Sequence, residues 1–225
     1  NTDPYQPVER KMGITREILQ VLAETKHPVT IVTKSDLILR DLDILTEMAQ
    51  QRLARVMLSV TTLDKGLARS MEPRAPAASK RLQAVRQLAA AGVPCGVLAA
   101  PMIPAINDSE LEAILEAAQA AGARSAGYVL LRLPLEIKDL VEEWLTAHFP
   151  DRKDKVLKLV RETRGGRLYD SRFGIRQRGS GPYAELMAQR FRLACKKLGL
   201  NRDDWRLERS LFRKPPKDSR QMSLF

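Results

Sequence analysis

Four short apolar runs, at 28–33, 55–60, 96–100 and 127–131, constrain this chain more than any other feature. They read Pro-Val-Thr-Ile-Val-Thr, Arg-Val-Met-Leu-Ser-Val, Gly-Val-Leu-Ala-Ala and Gly-Tyr-Val-Leu-Leu. None shows the apolar–polar alternation of a half-solvated strand, and near-continuous strands of this kind belong to parallel sheets covered on their faces. The intervening segments are helical. Over 8–24 the apolar positions Met12, Ile14, Ile18, Leu19, Val21 and Leu22 recur at helical spacing. Over 35–51 the side chains of Leu37, Leu42, Ile44, Leu45 and Met48 turn inward. A helix over 80–91 is closed by Gly92, and another, capped by Asn107 and Asp108, runs to 121 and stops at Gly122. A further helix follows the fourth strand through Trp144.

This order gives an α/β fold with a parallel sheet, and an open doubly wound sheet and a closed barrel both fit it. No Gly-x-Gly-x-x-Gly or Walker-type loop occurs, which weighs against the common nucleotide-binding open sheets. The length, 225 residues, allows one sizeable core or a core with an appendage. No apolar run approaches the roughly 18 to 20 residues that span a bilayer, and no signal-like pattern is present, so the expected setting is cytoplasmic. The first seven residues, Asn-Thr-Asp-Pro-Tyr-Gln-Pro, read as the polar loop that follows a buried strand. The expectation is therefore that the larger domain begins upstream of Asn1.

Net charge is +11 and lies at one end. Residues 1–150 carry a net of −1 and residues 151–225 a net of +12. Such asymmetry points to a polyanionic partner, nucleic acid above all, against the plainer reading of a solvated helical surface. Strand signals stop after Pro150. Helices are expected over 151–164 and 182–198, joined by a Gly- and Arg-rich loop, and 213–220 reads as a flexible linker. The expected organisation is a partial barrel over 1–150, a basic helical extension over 151–212 and a tail over 213–225, the whole monomeric.

Ligands of parallel α/β folds bind at the carboxyl ends of the strands. The residues there form a coherent rim: Thr2 and Asp3 in the opening loop, Lys34 after the first run, Ser59 and Thr61 after the second, then Glu72 and Arg74, Ala100 after the third, and Arg132 after the fourth. Hydroxyls, an ammonium, a carboxylate and guanidiniums beside small apolar residues suit a ligand with a carboxylate, a ribose and a flat base. Taken singly, Ser59 and Thr61 also suit plain backbone satisfaction, Lys34 a solvated charge, and Glu72 and Arg74 a mutual ion pair.

The order Thr-Asp, Val-Thr-Lys, a Ser-bearing strand, Glu-Pro, Arg-Leu and Leu-Ala-Ala-Pro-Met-Ile-Pro-Ala-Ile-Asn-Asp resembles the radical S-adenosylmethionine (radical SAM) superfamily over roughly 1–135. Within it the chain looks most like relatives of the DNA-repair enzyme spore photoproduct lyase. The resemblance implies an incomplete (β/α) TIM-like barrel around S-adenosylmethionine and a four-iron four-sulfur cluster, which together generate a 5′-deoxyadenosyl radical for hydrogen abstraction. It implies cofactor-binding roles for Thr2, Asp3, Lys34, Ser59 and the backbone at Ala100, with Lys34 on the cofactor's carboxylate. Such enzymes ligate the cluster through Cys-x3-Cys-x2-Cys. This chain has no such loop, and Cys95 and Cys195 read as packing residues, so no metal ligand is assigned. The expectation is an N-terminal truncation that leaves the fragment inactive, with a cluster-less pseudoenzyme as the alternative.

In the basic third, Arg172, Arg176 and Arg178 interleave with Phe173 and several glycines, and Arg164, Arg167 and Tyr169 lie just before them. Arginine with aromatics on a Gly-rich loop suits phosphate contact and base stacking, or a lid over the barrel mouth. The plainer reading is a loop docked by salt bridges. The terminal Gln221-Met222-Ser223-Leu224-Phe225 resembles the peptide by which bacterial replication and repair proteins grip the sliding clamp, with Gln221, Leu224 and Phe225 as the anchors. The overall expectation is a radical SAM enzyme acting on a DNA-related substrate. The alternative is a nucleic-acid-associated adaptor that binds the clamp through its tail.

Overall fold

A computed structural model describes residues 2–202 and 206–214. The tail motif Gln221, Leu224 and Phe225 lies outside the described residues. In chain order the helices and strands are α1 (Glu9–Met12), α2 (Ile14–Glu24), β1 (Val29–Thr33), α3 (Leu42–Gln50), β2 (Ala54–Ser59), α4 (Lys65–Met71), α5 (Ala78–Ala90), β3 (Cys95–Met102), α6 (Leu111–Ala120), β4 (Ser125–Leu130), α7 (Ile137–His148), α8 (Lys153–Glu162), α9 (Ile175–Arg178) and α10 (Pro182–Leu198).

All four strands are parallel and adjacent in sequence order, β1-β2-β3-β4. A doubly wound sheet reverses its order at a switch point, and this sheet does not. The unreversed winding is that of an arc of a (β/α) barrel. The register places Ile31 beside Val56 and Cys95, and Ala99 beside Tyr128, on one face. That face lies under the helices and builds the main core with Ile38, Leu45, Leu88, Ile114 and Met187.

The other face corrects the expectation of a sheet covered on both sides. Its Val32, Met57, Leu98 and Gly127 supply none of the main core, and Val32 is 45% exposed. On this face Gly96 lets β3 and β4 approach so closely that a Cβ would lie 2.4 Å from the Ser125 carbonyl oxygen.

The first predicted helix is also corrected. Gly13 adopts the left-handed region at φ +68° and splits the segment into α1 and α2. Met12, Ile14, Ile18 and Val21 are exposed, because α2 packs against α3 and turns only Leu19, Leu22 and Ala23 to the core. Helix α4 has no signal in the apolar pattern. It starts where the Asp64 carboxylate accepts from Leu67 N–H at 2.6 Å, an N-cap. Asn107 does not cap a helix as expected, because its side chain is used elsewhere.

Helix α10 lies against α6 and joins the same core as the sheet. Arg190 pairs with Glu112, Tyr183 donates to Asp108, and Phe191 meets Tyr128 with ring centroids 4.9 Å apart. Beyond it, the Asn201 side chain accepts from Ala126 N–H and donates to Ala126 C=O. It thereby fills the open edge of β4 as another strand would. A second, smaller core joins α7 and α8 to the strand ends through Ile103, Leu131, Leu133, Leu145 and Val156.

Candidate active site

Part of the rim converges on a cavity of about 600 Å³ at the carboxyl ends of the strands, on the sheet face opposite the main core. Lys34, Ser59, Glu72, Ala100 and Arg132 line it, together with a wall of Ile137, Val141 and Trp144 from α7. The Trp144 indole donates to Ser70 C=O at 3.0 Å and ties that wall to the end of α4.

Glu72 is the electrostatic centre. Its carboxylate pairs with Lys34 on one side and with Arg81 at 2.7 Å on the other, and the Thr61 hydroxyl lies 3.0 Å from it. Burial alone would raise this carboxyl, but Lys34 and Arg81 together hold it below the usual range. The plainer alternative of a mutual Glu72–Arg74 pair does not form. Helix α4 ends at Glu72, which turns back toward β1, and Arg74 stays exposed beside a separate cleft that Lys34 and Asp3 share.

Arg81, on α5, carries no signal of a role in the sequence. It is 3% exposed. Its guanidinium donates to Glu72, to Ser59 C=O at 2.9 Å and to Pro76 C=O at 2.8 Å, so one side chain fixes the end of β2 and the turn after α4. An arginine on an amphipathic helix shows nothing in its spacing that separates this from a solvated charge. Asn107 is equally hidden from sequence. Fully buried, it accepts from Ile103 N–H and donates to the carbonyls of Thr61 and Pro101, locking the ends of β2 and β3 together.

Asp3 accepts from the Thr33 hydroxyl at 2.6 Å and from the backbone N–H groups of Lys34 and Tyr5. Its oxygens thus anchor the opening loop to the end of β1, and Thr2 beside it is exposed. Behind this anchor, Asp41 is fully buried among Arg40, Arg16 and the Tyr5 hydroxyl. Cys95 begins β3, at the end of the sheet away from the cavity, and Cys195 lies in α10. Both are buried, and burial raises both thiols, Cys95 to about 11. Neither is placed to ligate a cluster at the cavity.

Arg172 and Phe173, on the loop after α8, and Arg176 and Arg178, on α9, do not line the cavity. Arg132 connects the two regions. It lines the cavity, and its guanidinium carbon sits 5.9 Å from the Tyr169 ring centroid.

The family model of the Radical SAM superfamily matches residues 5–118. The uncharacterized protein Rv2578c of Mycobacterium tuberculosis is 34% identical over 163 residues, 72% of this chain and 48% of that protein. The uncharacterized protein MJ0683 of Methanocaldococcus jannaschii is 31% identical over 109 residues, 48% of this chain and 40% of that protein. The uncharacterized protein ORF301 of Acidianus two-tailed virus is 35% identical over 102 residues, 45% of this chain and 33% of that protein. The chain thus spans about half the length, or less, of the curated relatives it matches. No solved structure matches it.

Proposed function

The chain belongs to the radical SAM superfamily, and on that premise we propose that it forms the cofactor-binding part of an enzyme that abstracts hydrogen from a DNA-related substrate, as in the spore photoproduct lyase-like group. The observation that carries this reading is the opposed Lys34–Glu72 pair at the cavity edge, with Ser59 and the Ala100–Pro101 backbone beside it. A zwitterionic amino-acid end, a ribose and a flat base match that sequence of groups.

In this reading Lys34 holds the carboxylate of S-adenosylmethionine and Glu72 its ammonium, each released from the other as the ligand's charges replace them. Ser59 meets the ribose, and the end of β3 frames the adenine. When bound and reduced, the cofactor supplies a 5′-deoxyadenosyl radical for hydrogen abstraction. Arg81 keeps the Glu72 carboxylate ionised and aimed while Lys34 exchanges partners. Ile137, Val141 and Trp144 keep that end of the cavity dry, which strengthens the charge contacts. The described residues do not fit the superfamily's four-iron four-sulfur cluster, since Cys95 and Cys195 are buried at separate sites.

The test is anaerobic reconstitution of the full-length protein with iron, sulfide and reductant, followed by assay for 5′-deoxyadenosine. Its formation supports the enzyme; its absence from a reconstituted, cluster-bearing protein sinks the reading. The clamp-binding tail is proposed beside it. Residues 206–214 run along the amino end of the sheet, away from the cavity, where Arg213 N–H donates to Thr25 C=O.

A further inference from the structure

A second pocket, of about 470 Å³, opens in the loop between α8 and α10, lined by Arg164, Arg167, Tyr169, Asp170 and Arg172. We propose that it is a phosphate site for single-stranded nucleic acid, with Phe173 as the platform for a neighbouring base. The proposal rests on the nucleic-acid part of the functional reading above and gives it a location.

Arg164 is the central observation. It is 1% exposed, and its guanidinium donates to the carbonyls of Leu131, Ile175 and Arg176. Those carbonyls satisfy donors but carry no net charge, and its Nε has no partner among the described residues. A buried cation is ordinarily matched by a carboxylate. The one acid among the described residues that line the pocket, Asp170, lies within electrostatic reach of Arg164. Both its oxygens are bonded to Arg172, however, so a single carboxylate is shared among several guanidiniums. Arg132 and Arg176 stand nearby, each with a buried, unpartnered Nε. Among the described residues no salt bridge ties this loop to the barrel, as the plainer expectation had it; backbone carbonyls hold it, and positive charge remains in excess. Arg167 adds a further guanidinium to the pocket lining, and an entering phosphate supplies the missing counter-charge.

The choice of a strand over a free phosphate ester comes from Phe173. It is 90% exposed, and the Arg176 guanidinium carbon lies 5.2 Å from its ring centroid. A ring held open to solvent in this way, with a cation against it, suits base stacking one nucleotide along from the bound phosphate. Tyr169 lines the phosphate pocket and contacts Arg132, which lines the 600 Å³ cavity, so a strand held here lies beside that cavity.

The experiment is fluorescence anisotropy of labelled single-stranded DNA and RNA dodecamers with the full 225-residue chain, across a salt series. Arg167→Ala/Arg172→Ala should reduce the salt slope by about 0.7 for each phosphate that is no longer neutralised, and Phe173→Ala should weaken binding about 10- to 100-fold. These side chains sit on an exposed loop, and circular dichroism checks that each variant folds. Inorganic phosphate and a mononucleotide serve as competitors. Competition by the mononucleotide at the strand's own concentration overturns the strand in favour of a free phosphate ester. Undetectable wild-type binding at low salt, or binding unchanged in all these variants, overturns the site itself. S-adenosylmethionine affinity, measured on the same variants, should not move. Loss of that affinity in wild type removes the cofactor reading and leaves this one standing.

Discussion

Arg81 and Glu72 meet at 2.7 Å across the gap between α5 and the end of α4, and the pair fixes one edge of the cavity. With 4% of its side chain exposed, Arg81 is effectively desolvated, and three separate acceptors share its planar fork. Glu72→Gln should therefore destabilise the fold by about 3 kcal/mol, because it leaves the Arg81 charge buried and uncompensated. Arg81→Lys should fail to rescue, since an ammonium does not span the Ser59 and Pro76 carbonyls and the carboxylate together. The urea midpoint measures both, and a loss under 1 kcal/mol in Glu72→Gln would refute the argument.

Lys34 presents the opposite case. Its side chain is 39% exposed, and without it Glu72 still keeps Arg81. Lys34→Ala should leave the urea midpoint nearly unchanged but lower affinity for S-adenosylmethionine by about 10- to 100-fold, the range for one missing hydrogen bond to a charged group. Isothermal titration on the full chain distinguishes the two effects. Equal cofactor binding by wild type and variant would remove Lys34 from the site.

The four strands were legible because apolar runs in a parallel sheet announce themselves, but their unreversed order was not, since a doubly wound sheet and a barrel carry the same runs. Lys34, Ser59, Glu72, Ala100 and Arg132 were legible as strand-end neighbours of one cavity, whereas Asp3 and Arg74 line a separate cleft. Partner choice was not legible. Arg74 lies two residues from Glu72 and looked like its counter-ion, while the true partner, Arg81, sits a helix away and reads as a surface charge. Asn107 likewise looked like a helix cap, because sequence does not reveal that three backbone groups from two strand ends converge on it. The Gly13 break escaped notice since apolar spacing continues across it, and only the left-handed backbone divides the helix.

Acid should reveal the buried Asp41. Burial alone would raise its carboxyl, but Arg40, Arg16 and the Tyr5 hydroxyl hold it below its ordinary value of 3.8. A carboxyl lowered on folding contributes stability that is complete above the unfolded value and disappears as pH falls through the folded one. The stability gap between wild type and Asp41→Asn should thus be constant from pH 7 to about 5. Below about pH 3.8 it should narrow by about 1.4 kcal/mol per pH unit. Urea midpoints across pH 7 to 3 test it, and a gap that stays constant to pH 3 contradicts the assignment.

Gly96 should tolerate no side chain. A Cβ there would meet the Ser125 hydroxyl, the Ser125 carbonyl at 2.4 Å and the Met57 sulfur at 2.8 Å. Gly96→Ala should cost about 1–3 kcal/mol as β3 and β4 are pushed apart. Adding Ser125→Ala should recover little, since the carbonyl remains. Full recovery in the double variant would show that the hydroxyl, not the backbone, sets the limit.

The tail gives the last test. Leu224 and Phe225 are adjacent apolar side chains behind a Gln at 221, the pattern of a short peptide that anchors two residues in one pocket. Replacing both with Ala should abolish binding to a bacterial sliding clamp in surface plasmon resonance, and unchanged binding would remove the proposal. The preceding segment lies along the amino end of the sheet, with Phe212 packed edge-on against His27 at 5.3 Å between ring centroids. The cavity opens at the carboxyl end, on the opposite side. A clamp held by the tail should therefore leave the cavity clear, and S-adenosylmethionine affinity should agree within about twofold with and without saturating clamp, a coupling below about 0.5 kcal/mol. A larger change would mean that the tail, or the clamp it holds, reaches the cavity mouth.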